Sequence, residues 1–191
     1  ISLALNNELD PEKVLQQVVD LVQNRFDLYY VGVFLLDDRN ENAVLRAGSG
    51  EAGQKMLALG HHLPLNGASM VAWAVQNRKA RIALDVGKEA VRFNNPHLPN
   101  TRSEMALPIV VQGTTAGPGS LAMGALTVQS SLSAAFDQDD ITILLNIASS
   151  LATALQNATL FKQLGRSLDE IRVLNRQYLQ QAWSSETEQP I

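Results

Sequence analysis

Residues 101–130 read TRSEMALPIVVQGTTAGPGSLAMGALTVQS, and this stretch predicts the β-hairpin around which the rest of the chain is arranged. The strands are residues 103–112 and 121–130, because apolar side chains recur along them with the period of two that suits a sheet with one face on a core. Residues 113–120 hold three glycines and one proline, which favours a chain reversal. Glu104 places a carboxylate near the start of the first strand, two residues after Arg102.

The composition fits one globular domain with an appendage. At 191 residues and 46% hydrophobic content, the chain can bury a core of its own. The net charge is −4, the basic residues are scattered and the aromatic content is 5%. This is not the clustered basic surface that nucleic-acid binding requires. We therefore expect no nucleic-acid partner.

The chain has no cysteine. This excludes disulfides, thiol catalysis, thiolate metal sites and thioether-linked chromophores, and it is compatible with a cytoplasmic location. The longest apolar run, residues 29–36, is far shorter than the roughly 20 residues of a membrane helix, and no signal peptide is visible. We expect no membrane segment here. Because the chain begins at Ile1 rather than methionine, we expect an output domain elsewhere in the same parent chain.

Before the hairpin, short helices and strands alternate. Asp10, Pro11 and Glu12 form a strong helix start, since an N-cap acid, a first-turn proline and a second acid all stabilise a helix N-terminus. Apolar residues at helical spacing follow as far as Phe26. The next predicted elements are a central strand at 29–36, a strand pairing back with it at 43–47, a weak helix at 54–59, a short strand at 61–65, a helix at 68–77 and an edge strand at 81–84.

Residues 85–102, DVGKEAVRFNNPHLPNTR, show little periodicity. Long loops between the strands of a compact domain are more often functional than accidental, so we expect this segment to cover a site. Phe93 within it is either an anchor that fills the site or a stacking platform. His97 in the same loop, with His61 and His62, is assigned to the surface or to a loop, since these histidines lack metal-ligand spacing with nearby acids; an axial haem role for His97 is the alternative.

After the hairpin a long helix is predicted from about residue 137, and it continues past the domain. Its buried stripe comprises Ile141, Leu144, Leu145, Ala148, Leu151, Ala152 and Leu155. Further on, the sequence shows the heptad pattern of a coiled coil, in which seam residues recur at alternating spacings of three and four. These residues are Phe161, Leu164, Leu168, Ile171, Asn175, Tyr178 and Ala182. We expect a parallel homodimer joined by this stalk; the alternative is a surface helix that packs on its own domain. The predicted division is 1–10, a leading segment; 11–158, the domain; 159–183, the stalk; and 184–191, a polar tail.

Five stretches resemble the GAF domain family of sensory modules. They are FDLYYVGVFLLDD at 26–38, GASMVAWAVQNRKARIALDV at 67–86, TRSEMALPIVVQG at 101–113, GALTVQS at 124–130 and FDQDDITILLNIASSLATAL at 136–155. The resemblance implies an α+β fold, with a central antiparallel sheet, N- and C-terminal helices on one face and pocket-roofing loops on the other. It also implies a small-molecule pocket. The pocket residues that we expect are Val33, Leu84, Val86, Phe93, Leu98, Arg102, Glu104 and Thr127.

Differences between this sequence and known family members reduce the number of ligand classes that it could bind. Bilin-binding members attach their chromophore through a cysteine, so a covalent bilin of that kind is excluded and we expect no resident cofactor. Residues 93–95, FNN, are only a fragment of the signature of members that bind cyclic nucleotides. The hairpin resembles that of free methionine-R-sulfoxide reductases, which have a glutamate at the position of Glu104. Those enzymes carry acidic residues on the second strand, where this chain has Thr127 and Gln129. Their reaction also needs cysteine thiols. A reductase-like fold without methionine sulfoxide reductase activity is therefore a less favoured alternative.

No catalytic constellation is visible in the sequence: there is no G-x-S-x-G elbow and no phosphate-binding loop. Glu104 is either a ligand anchor or a structural partner of Arg102 or Arg81, and Trp73 is expected to pack.

The leading hypothesis is a ligand-sensing domain of a bacterial signalling protein, such as a sensor histidine kinase or a cyclic-dinucleotide enzyme. The alternative is a ligand-free dimerisation and relay module whose pocket is filled by its own side chains, with Leu107 among them.

Overall fold

The computed structural model describes residues 11–88, 94–111 and 121–186, and side chains within them as far as residue 180. The leading segment, Phe93, the hairpin tip at 113–120 and the end of the tail lie outside the described residues. The chain divides into two compact units, Ile1–Ala154 and Leu155–Ile191. The helices are α1 Pro11–Phe26, α2 Gly50–Ala58, α3 Met70–Asn77 and α4 Gln138–Glu186, and a 3₁₀ turn spans Val86–Lys88. The strands are β1 Tyr30–Leu36, β2 Asn42–Gly48, β3 His62–Pro64, β4 Arg81–Ala83, β5 Ser103–Ile109 and β6 Gly124–Ser130.

The six strands form one antiparallel sheet in the order β3-β2-β1-β6-β5-β4. The predicted α+β class is confirmed, with β1 near the centre and β4 at an edge. The hairpin that decides the fold pairs Ser103 with Ser130 and Ile109 with Gly124. Its strands are shorter than predicted at the ends that lead to the tip.

Both faces of the sheet are covered. One face carries Tyr30, Phe34, Ala106 and Ala125, which join an apolar cluster with residues of α2 and α3. Because side chains alternate along a strand, Val33, Leu107 and Leu126 point from the other face, the side on which α1 contacts β1 and β2. Every residue of β5 and β6 is buried as a result. The sequence predicted that only one face of the hairpin is buried, whereas the structure buries both faces.

Helix α2 lies unusually close to strand β2. A methyl group at Gly53 would overlap with the backbone of Gly48, so only glycine allows this contact. The helix begins at Gly50, four residues before the predicted start at residue 54. The predicted helix is therefore present and only its start was misplaced, since the first turn packs on β2 through the contact between Gly53 and Gly48.

Helix α4 begins one residue after the predicted start. Leu144, Ala148, Leu151 and Ala152 are buried as expected. In the unit Leu155–Ile191, the heptad side chains from Phe161 to Tyr178 that are apolar are all at least 48% exposed. By length and composition alone, this helix could also cross a membrane over one 18-residue window, a test that core helices pass as well.

Candidate functional site

A small cavity lies on the sheet face that carries Tyr30 and Phe34. Its volume is about 20 Å³, which is room for about one water molecule. Its polar lining residues are Tyr30, His61, Ser69, Asn95, Glu104, Thr127 and Gln129. Its apolar lining residues are Phe34, Leu63, Met70, Val71 and Leu98. The cavity is therefore small and unusually polar for a space inside a protein core.

The register of three central strands brings the polar residues together. Tyr30 of β1 pairs with Gln129 of β6, and Gln129 pairs in turn with Glu104 of β5. Thr127 lies two residues before Gln129 and so points to the same face. Since direct cross-strand neighbours lie about 5 Å apart, these four side chains form one continuous polar patch on the wall of the cavity.

Hydrogen bonds tie this patch together. The Thr127 hydroxyl donates to a carboxylate oxygen of Glu104 over 3.2 Å. The Thr101 hydroxyl donates to the side-chain oxygen of Gln129 over 2.6 Å. Glu104 is only 8% exposed and Thr127 only 1%. A buried carboxylate is costly unless its oxygens accept hydrogen bonds, so the Thr127 contact supports a charge at this place.

The Tyr30 side chain occupies the space beside two glycines of the sheet, Gly32 and Gly48. A methyl group at Gly32 would come within 2.6 Å of the phenolic oxygen, and one at Gly48 within 3.0 Å. Within the described part of the chain, this buried hydroxyl has no hydrogen-bond partner. Burial, and secondly the negative charge of Glu104, raise the pKa of Tyr30 above its ordinary value. The hydroxyl thus stays protonated and can donate to a guest in the cavity.

Residues 94–102 cover the cavity. The Asn95 amide donates to the Met56 sulfur over 3.1 Å, and its side-chain oxygen accepts from the His97 backbone over 2.9 Å. The side chain of Leu98 is only 2% exposed and forms part of the cavity wall. The backbone oxygen of Leu98 lies 3.1 Å from the Thr101 hydroxyl. This segment is the roof of the cavity, and Leu98 is its central apolar residue.

A family model for the GAF domain matches residues 8–156. This chain belongs to the GAF domain family. GAF domains are generally sensory or regulatory modules of signalling proteins. The resemblance seen in the sequence is thereby confirmed, and the cavity lies inside the matched region.

Solved GAF domains share the fold of this chain at low sequence identity. The GAF domain of a phosphoenolpyruvate-protein phosphotransferase from Coxiella burnetii has a TM-score of 0.67 and 18% identity, over 84% of this chain and 93% of that one. A GAF domain/HD domain protein from Geobacter sulfurreducens has a TM-score of 0.63 and 16% identity, covering 82% and 98%.

An enzyme also shares the fold. The free methionine-R-sulfoxide reductase from Neisseria meningitidis, solved in complex with its substrate, has a TM-score of 0.64 and 19% identity, over 82% of this chain and 84% of that one. At such identities the likeness shows the fold alone. No curated protein matches the chain.

The GAF domain brings only some of the expected pocket residues to the cavity. Leu98, Glu104 and Thr127 line it. Val86 is buried in the adjoining apolar cluster without lining the cavity. Phe93 lies outside the described residues.

Three further residues were expected in the pocket and lie elsewhere. Val33 points from the opposite face, because one residue along a strand reverses the side-chain direction. Leu84 is 47% exposed. The Arg102 guanidinium extends at the surface and donates to the Ser133 hydroxyl over 3.3 Å. Arg81, the other cation that was expected to pair with Glu104, lies over the half-buried Trp73 ring, with its guanidinium carbon 4.9 Å from the ring centroid.

Sequence reasoning missed Tyr30 and His61 as cavity residues, and it singled out Gln129 beside Thr127 in the hairpin without including it among the expected pocket residues. Tyr30 and Gln129 could have been found by writing out the strand register, since both share a face with Glu104. His61 was expected at the surface or in a loop; it does lie in the loop before β3, but it also lines the cavity, with its ring 5.9 Å from that of Phe34. Burial lowers the pKa of His61, and the neighbouring His97 and His62 lower it further. It sits just before β3, where no periodic pattern marks it.

The roof is hydrogen-bonded to the connection between β6 and helix α4. The Arg102 backbone N–H donates to the Ser130 carbonyl over 2.8 Å, and the Ala134 N–H donates to the Leu84 carbonyl over 2.8 Å. The Ser103 hydroxyl donates to the Leu132 carbonyl over 2.7 Å. The last roof residue, Arg102, is thus bonded to the end of β6 and, through its guanidinium, to Ser133 in the connection, while Leu84 and Ser103 outside the roof contact Ala134 and Leu132.

Proposed function

We propose that this GAF domain senses a small polar molecule in the cavity and relays its presence through helix α4 to an output domain of the same parent chain. A cytoplasmic bacterial signalling protein, such as a sensor histidine kinase or a cyclic-dinucleotide enzyme, would be such a parent. The observation that carries the proposal is the polar patch of Tyr30, Glu104, Thr127 and Gln129, buried on one sheet face. A space meant only for packing would be lined by apolar groups, since buried polar groups lower stability unless they are paired.

The lining selects the chemistry of the guest. The Glu104 carboxylate and the Gln129 amide oxygen are acceptors, and the Tyr30 hydroxyl is both donor and acceptor. A guest with N–H donors, above all a cationic one, would gain charge-assisted hydrogen bonds, which are about twice as strong as neutral ones. We therefore favour a small amine or amide-bearing molecule. The patch provides no thiol and we assign no chemical step to it.

Such a guest needs more room than one water molecule occupies. The most direct way to make room is an outward shift of Leu98, the apolar residue of the roof. The roof residue Arg102 is hydrogen-bonded to Ser130 at the end of β6 and to Ser133 in the β6–α4 connection, so a shift of the roof would also disturb the segment that leads to α4. A guest that binds only the shifted form would change the balance between the two forms, because a ligand moves an equilibrium by its preference for one state.

At the far end, we propose that the stalk in residues 159–183 joins two copies as a parallel coiled coil. The exposed heptad residues and Asn175 at a seam position support this, since a buried asparagine is typical of parallel dimers with a fixed register. A change at the start of α4 would then reach the output domain as a change in the splay or register of the two stalk helices.

A thermal-shift screen of the full chain against small amines, amino acids and amides tests the sensing proposal. A true pocket ligand raises stability by about 2.7 kcal/mol at a hundred times its dissociation constant. Glu104→Gln, which keeps the shape and removes the charge, should weaken that ligand by tenfold or more. Glu41→Gln, on an exposed turn, should not. If no compound binds, and native mass spectrometry finds none carried over from cells, the sensing proposal is wrong.

The second candidate function is a ligand-free dimerisation and relay module. The size of the cavity favours it, because about 20 Å³ leaves space only for a water that could satisfy the Tyr30 hydroxyl. In that case the screen yields no ligand, and Leu98→Ala changes stability without creating a response to any compound. The stalk dimer would form in both cases.

A further inference from the structure

The chain contains three histidines, and they lie close together at one side of the cavity. His61 lines the cavity from the loop before β3, His62 is the first residue of β3, and His97 belongs to the roof. Both His62 and His97 are near enough for their charges to act on His61. The fold thus brings together, at the junction of wall and roof, the residue type whose charge ordinarily changes between pH 5 and 8.

The surroundings of the His61 ring favour its neutral form. The ring packs edge-on against Phe34, with an angle of 69° between the two ring planes. The whole residue is half-buried, and its Nε2 atom is buried. Since an imidazolium loses hydration free energy when it is withdrawn from water, burial is the main cause that lowers the pKa of His61.

Like charges around His61 act in the same direction as burial. The titratable groups that share its surroundings are Tyr30 of β1, Glu104 of β5, His97 of the roof and His62 of β3. The charged residues of the two adjacent elements, Arg46 of β2 and the Glu51–Lys55 ion pair of α2, are exposed. His97 and His62 lower the pKa of His61 further. This pKa is lowered although Glu104 lines the same cavity, so burial and like charge outweigh the attraction of that carboxylate.

A short chain of hydrogen bonds joins the roof to His61 through Met56. The backbone N–H of His97 donates to the side-chain oxygen of Asn95 over 2.9 Å, and the Asn95 amide donates to the Met56 sulfur over 3.1 Å. The Met56 carbonyl accepts from the His61 backbone N–H over 3.0 Å. Because a thioether sulfur is a weak acceptor, the bond from Asn95 to Met56 is the one that would break first if the roof were pushed outward.

We propose that acid opens this cavity: protonation of His61 and His97 places like charges on wall and roof, and residues 94–102 move away from the wall. Opening exposes the His61 ring to water, which removes the cost of charging it. Protons therefore bind preferentially to the open form and shift the equilibrium toward it. The consequence rests on the proposed function, since Arg102 links the roof to the segment that leads to α4. The opening itself requires no guest, so the proton is a second input to the same cavity.

The direction of the pH dependence follows from the lowered pKa of His61 in the closed form. Above about pH 6.5, the ordinary value of an exposed imidazole, His61 is neutral in both forms and the closed form is fully favoured. Below about pH 6.5 the open form takes up the proton first. The ratio of open to closed molecules then rises by at most about tenfold per pH unit for each proton, until the pH passes the pKa of the closed form. Between about pH 7 and about pH 5.5 we expect a rise of at least about threefold.

Hydrogen exchange of the full chain, followed by mass spectrometry, measures this opening. The protection of amides in residues 94–102 is corrected for the intrinsic effect of pH on exchange, and helix α1, on the other face of the sheet, is the reference. Protection of the roof should fall at least about threefold from about pH 7 to about pH 5.5, while that of α1 stays constant. A roof that does not respond, or an equal fall in roof and α1, would overturn the inference.

Glutamine variants identify the groups that titrate. His61→Gln removes the buried imidazole and should abolish the fall in roof protection, and His97→Gln removes the like charge and should reduce it. His62→Gln, at an exposed position of β3, is the control and should keep most of the fall. A folded His61→Gln protein with the full fall contradicts the proposal. If that variant does not fold, NMR titration of the wild type decides, because a His61 ring that titrates at or above about pH 6.5 contradicts the proposal as well.

The outcomes separate this inference from the proposed sensing of a small molecule. A roof that opens in acid, together with a screen that yields no ligand, would leave a proton-responsive cavity and refute the sensing proposal. A ligand in the screen, together with roof protection that does not change with pH, would refute only the opening by acid.

Discussion

The Thr127 hydroxyl donates a hydrogen bond of 3.2 Å to the Glu104 carboxylate, across two neighbouring strands of a buried sheet face. Both residues lie in the wall of the cavity. A carboxylate in such a place costs free energy that hydrogen bonds must offset. The pair therefore links the stability of the domain to the chemistry of its pocket.

Removing this donor should destabilise the fold. In Thr127→Val the side chain keeps its shape and its preference for a strand, and Glu104 loses one hydrogen bond. We expect the free energy of unfolding to fall by about 1–3 kcal/mol, the cost of losing a bond to a buried charged group, measured by urea denaturation. Thr142→Val, on the exposed side of α4, is the control and should change it by less than about 0.5 kcal/mol. Equal losses in the two variants would contradict the role given to the pair.

The roof residue Leu98 should matter far more than Leu84, although the sequence placed both in the pocket. Leu98 is 2% exposed and Leu84 is 47% exposed. Leu98→Ala should lower the free energy of unfolding by about 2–5 kcal/mol, since it removes buried methyl groups and enlarges the cavity. Leu84→Ala should cost less than about 1 kcal/mol. Similar values for both, from the same chemical denaturation experiment, would mean that Leu98 does not fill the cavity.

Tyr30 should make the domain sensitive to alkaline pH. The pKa of its buried hydroxyl is raised in the folded state, whereas an unfolded tyrosine titrates near 10. Below pH 10 both states keep the proton and this contribution to stability is fully present. Above pH 10 the unfolded state loses the proton first, so stability falls as pH rises toward the folded pKa, with a limiting slope of about 1.4 kcal/mol per pH unit.

Tyr30→Phe should remove that slope and leave the stability at pH 7 unchanged or slightly higher, because the lost hydroxyl is buried without a partner among the described residues. Denaturant midpoints between pH 8 and 11 measure both effects. Tyr178→Phe removes a hydroxyl from a residue that is 72% exposed and is the matched control. Parallel pH curves for the wild type and Tyr30→Phe would count against the burial of this hydroxyl.

Two glycines should respond to alanine in opposite ways. At Gly53 a methyl group overlaps with the Gly48 backbone, and α2 must move away from β2 to accept it. We expect Gly53→Ala to lower the free energy of unfolding by about 1–3 kcal/mol. At Gly165 nothing lies within 4 Å of the added methyl group, and alanine should stabilise the helix by about 1 kcal/mol.

Thermal melts followed by circular dichroism compare these two variants. Gly53→Ala should melt earlier than the wild type and Gly165→Ala later. A stabilised Gly53→Ala would show that the close contact between α2 and β2 does not decide where this helix packs.

The order of helices and strands was predictable because each element carries a local signal. The run at 29–36, apolar on both faces, marked β1 as a central strand, and Pro11 with Glu12 marked the start of α1. The start of α2 was not predictable from spacing, since it depends on a contact between Gly48 and Gly53 that joins two elements. The long helix was predicted nearly to the residue because Leu144, Ala148 and Leu151 repeat with helical period.

The cavity was predictable only in part. Glu104 and Thr127 were identified from the hairpin and Leu98 from the loop, because each lies in a segment with a distinct composition. Val33 was misplaced by one position in a strand that is apolar on both faces, where alternation leaves no visible sign of direction. His61 was missed because its place in the wall depends on how β3 and the roof meet in space.

The hairpin at 101–130, the α+β class, the family and the heptad frame of the stalk were determined by the sequence alone. These properties follow from periodicity and turn chemistry, which act between residues near one another in the chain. Only the tertiary structure decided which polar side chains share a wall, that Leu98 closes it and that His61 and His97 meet beside it. Those facts depend on the strand register and on contacts between distant segments, where a shift of one residue turns a side chain to the opposite face.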